Sequence, residues 1–441
     1  MSFQTIADSA GQLTATTRYF DEGYAKELDL RLFAGDDGVL FVREGVGFAA
    51  HGEALRIVMP RGAALVSHVR DVLGAISVDD AIERAGSGPV AFGALPFTPG
   101  EEGFLVVPTF VVAKSSDGRA WHTTVHPTGS LAPTFPPLVA VRKTAWSPHG
   151  YDLHSAVSHE RWCSIIAKAV ERIGLGLLDK VVLARAVDVS ATNPFVIGDM
   201  LARLEALFPS CMVFSMDIAD TADAGVGSAD PVRFIGASPE LLVARKGSNV
   251  RAHPLAGTVA RSGDPDTDAR LAAGLLASSK DRWEHSLVID AIDAVLRPLC
   301  DELDVPKVPS IVPLRNVSHL GTHITGSLHA VEVAAGAAPT ALEFAGALHP
   351  TPAVGGVPVS RALSMIAELE PTPRGAYAGP VGWVDATGNG EWAVGLRSAT
   401  ISGCCARMMA GGGIVADSDP ADELAETQLK LQALLAAVVR P

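Results

Sequence analysis

The sequence predicts an α+β fold. Short apolar segments cut by Gly, Pro and Asp fill the first third, and helix-length amphipathic stretches lie in the rest. Strands and helices do not alternate regularly, which argues against a wound parallel sheet. The 441 residues are 48% hydrophobic and 19% charged, so the chain can bury a large core and is too apolar for disorder.

The runs 38–42, 91–95 and 103–107 read as strands bounded by turn residues, and 78–85 reads as a short helix. Residues 142–151, with Pro148 and Gly150, read as a linker. The chain therefore divides into an N-terminal part, 1–150, and a region 151–441. In that region 153–174 and 193–207 read as helices, with a strand at 181–189 between them. Strands are expected at 211–218, 233–235, 241–245, 313–326 and 392–410. Residues 264–299 read as helix broken near Ser278, and 420–439 as a final amphipathic helix with a core stripe of Leu424, Leu431, Leu435 and Val438.

The formal net charge of −14 disfavours nucleic acid and anionic membranes as partners, because polyanions are repelled. It leaves room for a small anion in a local basic pocket. No apolar stretch approaches the ~20 residues of a membrane span, and the N-terminus has no basic segment leading into an apolar one. Five cysteines without metal-ligand spacing read as reduced, buried thiols. A cytoplasmic protein is expected.

Four groups of residues could carry chemistry. Lys180 opens the strand Lys180-Val-Val-Leu-Ala-Arg185. Such a lysine is ordinarily solvated; packed against apolar neighbours it would be driven neutral and become a usable base. Glu240, in Ala237-Ser-Pro-Glu240, sits at a strand boundary where a carboxyl group in a cleft could act as a general acid. Asp281 with Glu284, and Glu423 with Glu426, are i,i+3 pairs, and Lys430 follows four residues after Glu426. Each pair is ordinarily a solvated helix face. Two helices could instead each give a carboxylate to Mg²⁺, which takes hard oxygen ligands. Gly411-Gly412-Gly413 could turn backbone N–H groups toward an anion, and Tyr377 with Arg397 could clamp a carboxylate.

Ten stretches in order resemble the chorismate-utilising enzymes. They are Lys180-Val-Val-Leu-Ala-Arg185, Phe234-Ile-Gly-Ala-Ser-Pro-Glu240, Pro254-Leu-Ala-Gly-Thr258, Lys280-Asp-Arg-Trp-Glu-His285 and Ser318-His-Leu320. After these come Leu348-His-Pro-Thr-Pro-Ala353, Arg374-Gly-Ala-Tyr-Ala-Gly379, Leu396-Arg-Ser-Ala399, Gly411-Gly-Gly-Ile-Val415 and Ser418-Asp-Pro-Ala-Asp-Glu423, the last running on through Glu426 to Lys430. The resemblance extends over about residues 155–437, some two-thirds of the chain.

The resemblance implies one continuous domain: two packed antiparallel sheets flanked by helices, with a deep active-site cleft. It implies that Lys180 is the base activating water for attack at C2 of chorismate, and Glu240 the acid for the departing C4 hydroxyl. Glu284 and Glu426 would bind Mg²⁺, with Asp281 and Glu423 outside them; the family usually has Glu at 281. Lys430, Gly411 and Gly413 would face the ring carboxylate, Tyr377 and Arg397 the enolpyruvyl carboxylate, and Thr258 and His319 the ring.

Within the family the isochorismate-forming branch fits best. Aminating relatives lack a lysine where Lys180 stands, and aminodeoxychorismate synthases often carry one where Ala256 stands. Salicylate synthases share the lysine base but tend to have Thr at Ala353, and remain the second reading. A non-catalytic chorismate-binding protein would have been signalled by loss of Lys180 or Glu240. With water as nucleophile no glutaminase subunit is expected, and the chain would act as a monomer or homodimer. Isochorismate feeds menaquinone or siderophore synthesis.

Overall fold

The computed structural model describes residues 3–59, 66–135, 150–218 and 231–439. The strands form a thirteen-stranded sheet, a nine-stranded sheet and a small three-stranded one. Among the described residues pairing is antiparallel, except that Leu13–Tyr19 runs parallel to Ser77–Asp80. Both large sheets are woven from the two parts of the chain. Val39–Arg43 lies beside Met212–Asp217 in one, and Val90–Ala94 beside Pro380–Asp385 in the other.

Strand Val39–Arg43 shows why the early segments read as continuous apolar runs. Successive side chains point to opposite faces. Val39 and Phe41 enter a core built from strands of both large sheets, with Phe92, Phe234 and Trp383. Leu40 and Val42 enter a second core with the helix residues Phe33, Leu201 and Leu434. A strand buried on both faces has no polar side to alternate.

Several boundaries depart from the sequence reading. Residues 78–85 are not a helix: Ser77–Asp80 is a strand, after which the Asp80 carboxylate accepts from Ile82 N. The stretch from 153 splits into strand Tyr151–Ser155 and helix His159–Gly174, which begins where the Ser158 hydroxyl accepts from Arg161 N. The next helix starts at Ile197 rather than 193. The linker expected at 142–151 lies outside the described residues except for Gly150 and Tyr151.

The helical stretch 264–299 breaks as expected. Helices Pro265–Ala277 and Ser279–Leu296 meet at Ser278, whose extended ψ of 117° ends one while its hydroxyl caps Asp281 N of the next.

The final helix, Pro420–Val438, corrects the expected stripe. Its buried side includes Glu423, Thr427, Leu431, Leu434 and Val438, while Leu424 and Leu435 are half-buried. The carboxylate-bearing turn is therefore turned inward, against strand Cys405–Ile414. The cysteines also differ from expectation: all five are free, but only Cys211 and Cys300 are buried, and Cys405 is exposed. Among the described residues no helix is long and apolar enough to cross a membrane.

Candidate active site

A cavity of about 360 Å³ is lined by all thirteen residues to which the resemblance gives a role. Lys180 enters from the first position of strand Lys180–Ala191, and Glu240 from the turn after strand Arg233–Ser238. Thr258 and His319 are register partners on adjacent strands. Asp281 and Glu284 come from the first turns of helix Ser279–Leu296, and Glu423, Glu426 and Lys430 from the final helix. Gly411 and Gly413 lie on strand Cys405–Ile414, directly beside the Lys180 strand. Tyr377 and Arg397 come from loops flanking strands of the nine-stranded and thirteen-stranded sheets.

Lys180 is not the solvated strand lysine that its sequence position ordinarily means. It is 3% exposed, with its amine 3.5 Å from the Glu284 carboxylate. Burial pushes the amine below its ordinary range, against the upward pull of Glu284. The same burial pushes Glu284 up. Glu240 is 4% exposed, and burial raises its carboxyl to about 8, although a backbone hydrogen bond from Leu255 and the nearby Lys180 oppose this. One cavity thus holds an amine biased toward its neutral form and a carboxyl group that keeps its proton at neutral pH. That is the pairing a base and an acid need.

Two glycines make room for Lys180 and Glu423. A Cβ on Gly413 would lie 3.0 Å from Lys180 Cε and 3.4 Å from its amine. A Cβ on Gly412 would lie 2.6 Å from a carboxylate oxygen of Glu423. Side chains at these positions would displace the groups they face.

Arg397 and His319 lie side by side on the cavity wall. His319 Nδ1 lies 2.9 Å from the Gly257 carbonyl, which only accepts, so this nitrogen carries the proton. Its bare Nε2 then accepts from Arg397 Nη2 at 3.2 Å. Burial, with Arg397 and Lys430 nearby, lowers the imidazole to about 3 and keeps it neutral. Arg397 Nη1 is buried and has no partner. A desolvated cationic donor left open on a cavity wall suits an anionic ligand. Tyr377 lines the same cavity near Arg374 and Gly411; burial pushes its phenol up to about 12, so it stays a donor.

The acidic end holds Asp281, Glu284, Asp422, Glu423 and Glu426, with Lys280 and Lys430 among them. Lys430 donates to Glu426 at 2.6 Å and to the Gly411 carbonyl at 2.9 Å. Glu423 accepts from the Ser418 hydroxyl at 2.8 Å, while its other oxygen is buried without a partner. Burial, and then repulsion from Glu426, lifts Glu423 to about 7. Among the described residues no three His, Cys, Asp or Glu side chains are already clustered as metal ligands. The donor set nevertheless fits magnesium, which takes one or two carboxylates and completes its shell with water and substrate oxygens. An orphaned carboxylate oxygen beside repelling carboxylates is where a hard cation relieves the cost.

Sequence reasoning missed Ser418, Glu370 and the structural role of Arg374. Ser418 and Arg374 lay inside quoted motifs, whereas Glu370 carried no signal beyond its spacing from Arg374.

Comparison with known proteins agrees with this geometry. The sequence model of the family described as chorismate binding enzyme matches residues 43–439. A Mycobacterium tuberculosis protein carrying the isochorismate synthase name MenF, itself a provisional assignment, is 40% identical over 86% of this chain and 94% of its own. Isochorismate synthase DhbC of Bacillus subtilis is 37% identical over 80% of this chain and 81% of its own. The solved structure of the menaquinone-specific isochorismate synthase MenF of Escherichia coli superposes with a TM-score of 0.76 at 26% identity, covering 97% of this chain and 95% of that one. The match of the family's sequence model over most of the chain, with these relatives 37–40% identical along most of their length, places the chain in the chorismate binding enzyme family.

Proposed function

We propose that the protein is an isochorismate synthase, converting chorismate to isochorismate in the cytoplasm, in a route to menaquinone or a siderophore. The observation that carries this reading is that an amine, Lys180, and a carboxyl group, Glu240, are both buried on the wall of one cavity, where desolvation favours the neutral form of each. Water is a poor nucleophile without a base, and hydroxide a poor leaving group without an acid. Lys180 takes a proton from the water that attacks C2. Glu240 gives its proton to the oxygen leaving C4. A C2–O bond forms, the C4–O bond breaks and the ring double bonds shift between them. Arg397 and Tyr377 bind the enolpyruvyl carboxylate, Thr258 and His319 border the ring, and Lys430 with Gly411 and Gly413 receives the ring carboxylate.

Glu284 and Glu426 would hold Mg²⁺, with Asp281 and Glu423 supporting them. The ion supplies neutralising charge and orientation for a dianionic substrate. Because water serves as nucleophile, the chain needs no glutaminase partner. The N-terminal part, 1–150, completes the sheets that frame the cleft.

Chromatography of chorismate incubated with the protein, Mg²⁺ and ammonium tests the reading. The expected product is isochorismate, without a 2-amino product and without stoichiometric pyruvate. Rapid salicylate and pyruvate release would favour the salicylate synthase reading, and a 2-amino product would favour an aminating one.

A further inference from the structure

The strand that carries Lys180 has a broken outer edge. On its inner edge it pairs continuously with Cys405–Ile414, from Val181 to Ser190. On its outer edge it pairs with Tyr151–Ser155 only over 187–191, and with Gly356–Val357 only at 180–181. Backbone bonds continue to Val182 N, which donates to the Gly355 carbonyl at 2.8 Å, and to the Ala186 carbonyl, which accepts from Ala156 N at 3.2 Å; among the described residues, the short stretch between them, from the Val182 carbonyl to Ala184 N, has no partner strand.

Two side chains fill the gap. Arg374 Nη2 donates to the Val182 carbonyl at 2.7 Å, and Glu370 Oε1 accepts from the Ala184 N–H at 2.7 Å. Glu370 and Arg374 also pair with each other, their side chains 4% and 2% exposed. Arg374 is fixed further by the Val354 carbonyl at 2.8 Å and by the Phe97 ring, 4.0 Å below the guanidinium. Together they supply one donor and one acceptor to the strand edge, as a neighbouring strand would. A buried ion pair gains little net stability over apolar packing, so its presence calls for another reason.

We propose that Glu370 and Arg374 are positioning residues for Lys180: they stand in for the missing strand and so hold the amine in register with Glu240. Lys180 lies two residues from Val182 and shares its strand face, and both line the cavity. A shift of the edge would be passed directly to the amine. The catalytic half of this inference rests on Lys180 being the base; the structural half does not.

The test compares wild type with Glu370→Gln, which keeps an acceptor for Ala184 N–H, and Glu370→Met, which removes it. Where Glu370→Met does not fold, the double variant Glu370→Met/Arg374→Met removes both charges and takes its place. Two readouts are taken on folded protein: steady-state kinetics with chorismate, and hydrogen exchange of the segment spanning 180–186. In the variant lacking the acceptor, kcat should fall about tenfold to hundredfold while KM stays within about threefold, because a misplaced base costs rate rather than binding. Exchange at 180–186 should speed up, with Cys405–Ile414 unchanged, and Glu370→Gln should recover most of both. Wild-type kcat and exchange in the folded Met variant, or equal losses in both variants, would overturn the proposal. If wild type does not turn over chorismate, the functional reading fails and the exchange readout alone decides the positioning role.

Discussion

The Lys180 amine and the Glu284 carboxylate face each other across 3.5 Å, both buried, at the junction of a strand end and a helix start. The proposed base is thus adjacent to a residue that would hold the metal. Drawing Glu284 toward a cation would leave the amine with less negative charge beside it and favour its neutral form. Turnover should therefore need Mg²⁺. EDTA should abolish it and added Mg²⁺ restore it. Glu426→Gln should abolish turnover and weaken Mg²⁺ binding measured by calorimetry. Full activity in chelator would remove the metal from the account.

The rate should be bell-shaped in pH. The Lys180 amine is pushed down by burial, so the rising limb should lie well below the ~10.4 of a free lysine. Glu240 is raised to about 8 and must stay protonated, so the falling limb should centre near that value. In Glu240→Gln the falling limb disappears along with nearly all turnover. A rate that keeps rising to pH 10 would remove Glu240 as the acid.

Glu240 should also cost stability. An acid whose folded pKa is raised is protonated in the fold while the unfolded chain ionises near 4.5, so stability falls as pH rises from there toward about 8. Glu240→Gln removes that penalty and can still accept from Leu255 N. It should stabilise the protein by about 1–4 kcal/mol at pH 8, and by little at pH 4. Calorimetric midpoints at the two pH values check this; equal shifts at both would contradict it.

Gly413→Ala should lower kcat about tenfold or more while leaving the fold intact, because its Cβ meets the Lys180 side chain at 3.0 Å. His319→Ala should act differently, raising KM for chorismate about tenfold with a smaller change in kcat, since it frees Arg397 from its acceptor. Steady-state kinetics on both variants separates the two roles.

The parts of this molecule that could be read from sequence are those where local chemistry decides. Ser278 announces the break between its two helices because its hydroxyl caps the second, and the i,i+3 carboxylates of both site helices do share the cavity wall. The burial of Lys180 could not be read, because it depends on Cys405–Ile414 and the helix of Glu284 closing over it. Residues 78–85 misled because a strand paired in parallel at a sheet edge has little of the alternation that marks a strand. The final helix misled for a related reason: Glu423 and Thr427 are buried polar residues, and a hydrophobic stripe does not register them. Glu370 was invisible because its partner is the backbone of Ala184, far away in sequence.

Whether Lys180 is the base is decided by the product that Lys180→Ala forms. Chorismate consumption and isochorismate formation, followed by chromatography at saturating Mg²⁺, should fall about 10²–10⁴-fold. Chorismate affinity should change far less, because in the proposed site Arg397, Lys430 and the metal would carry the binding. Lys180→Gln, which keeps the size of the side chain, should be as inactive. Near-normal conversion of chorismate to isochorismate by folded Lys180→Ala would contradict the account and move the base elsewhere in the cleft.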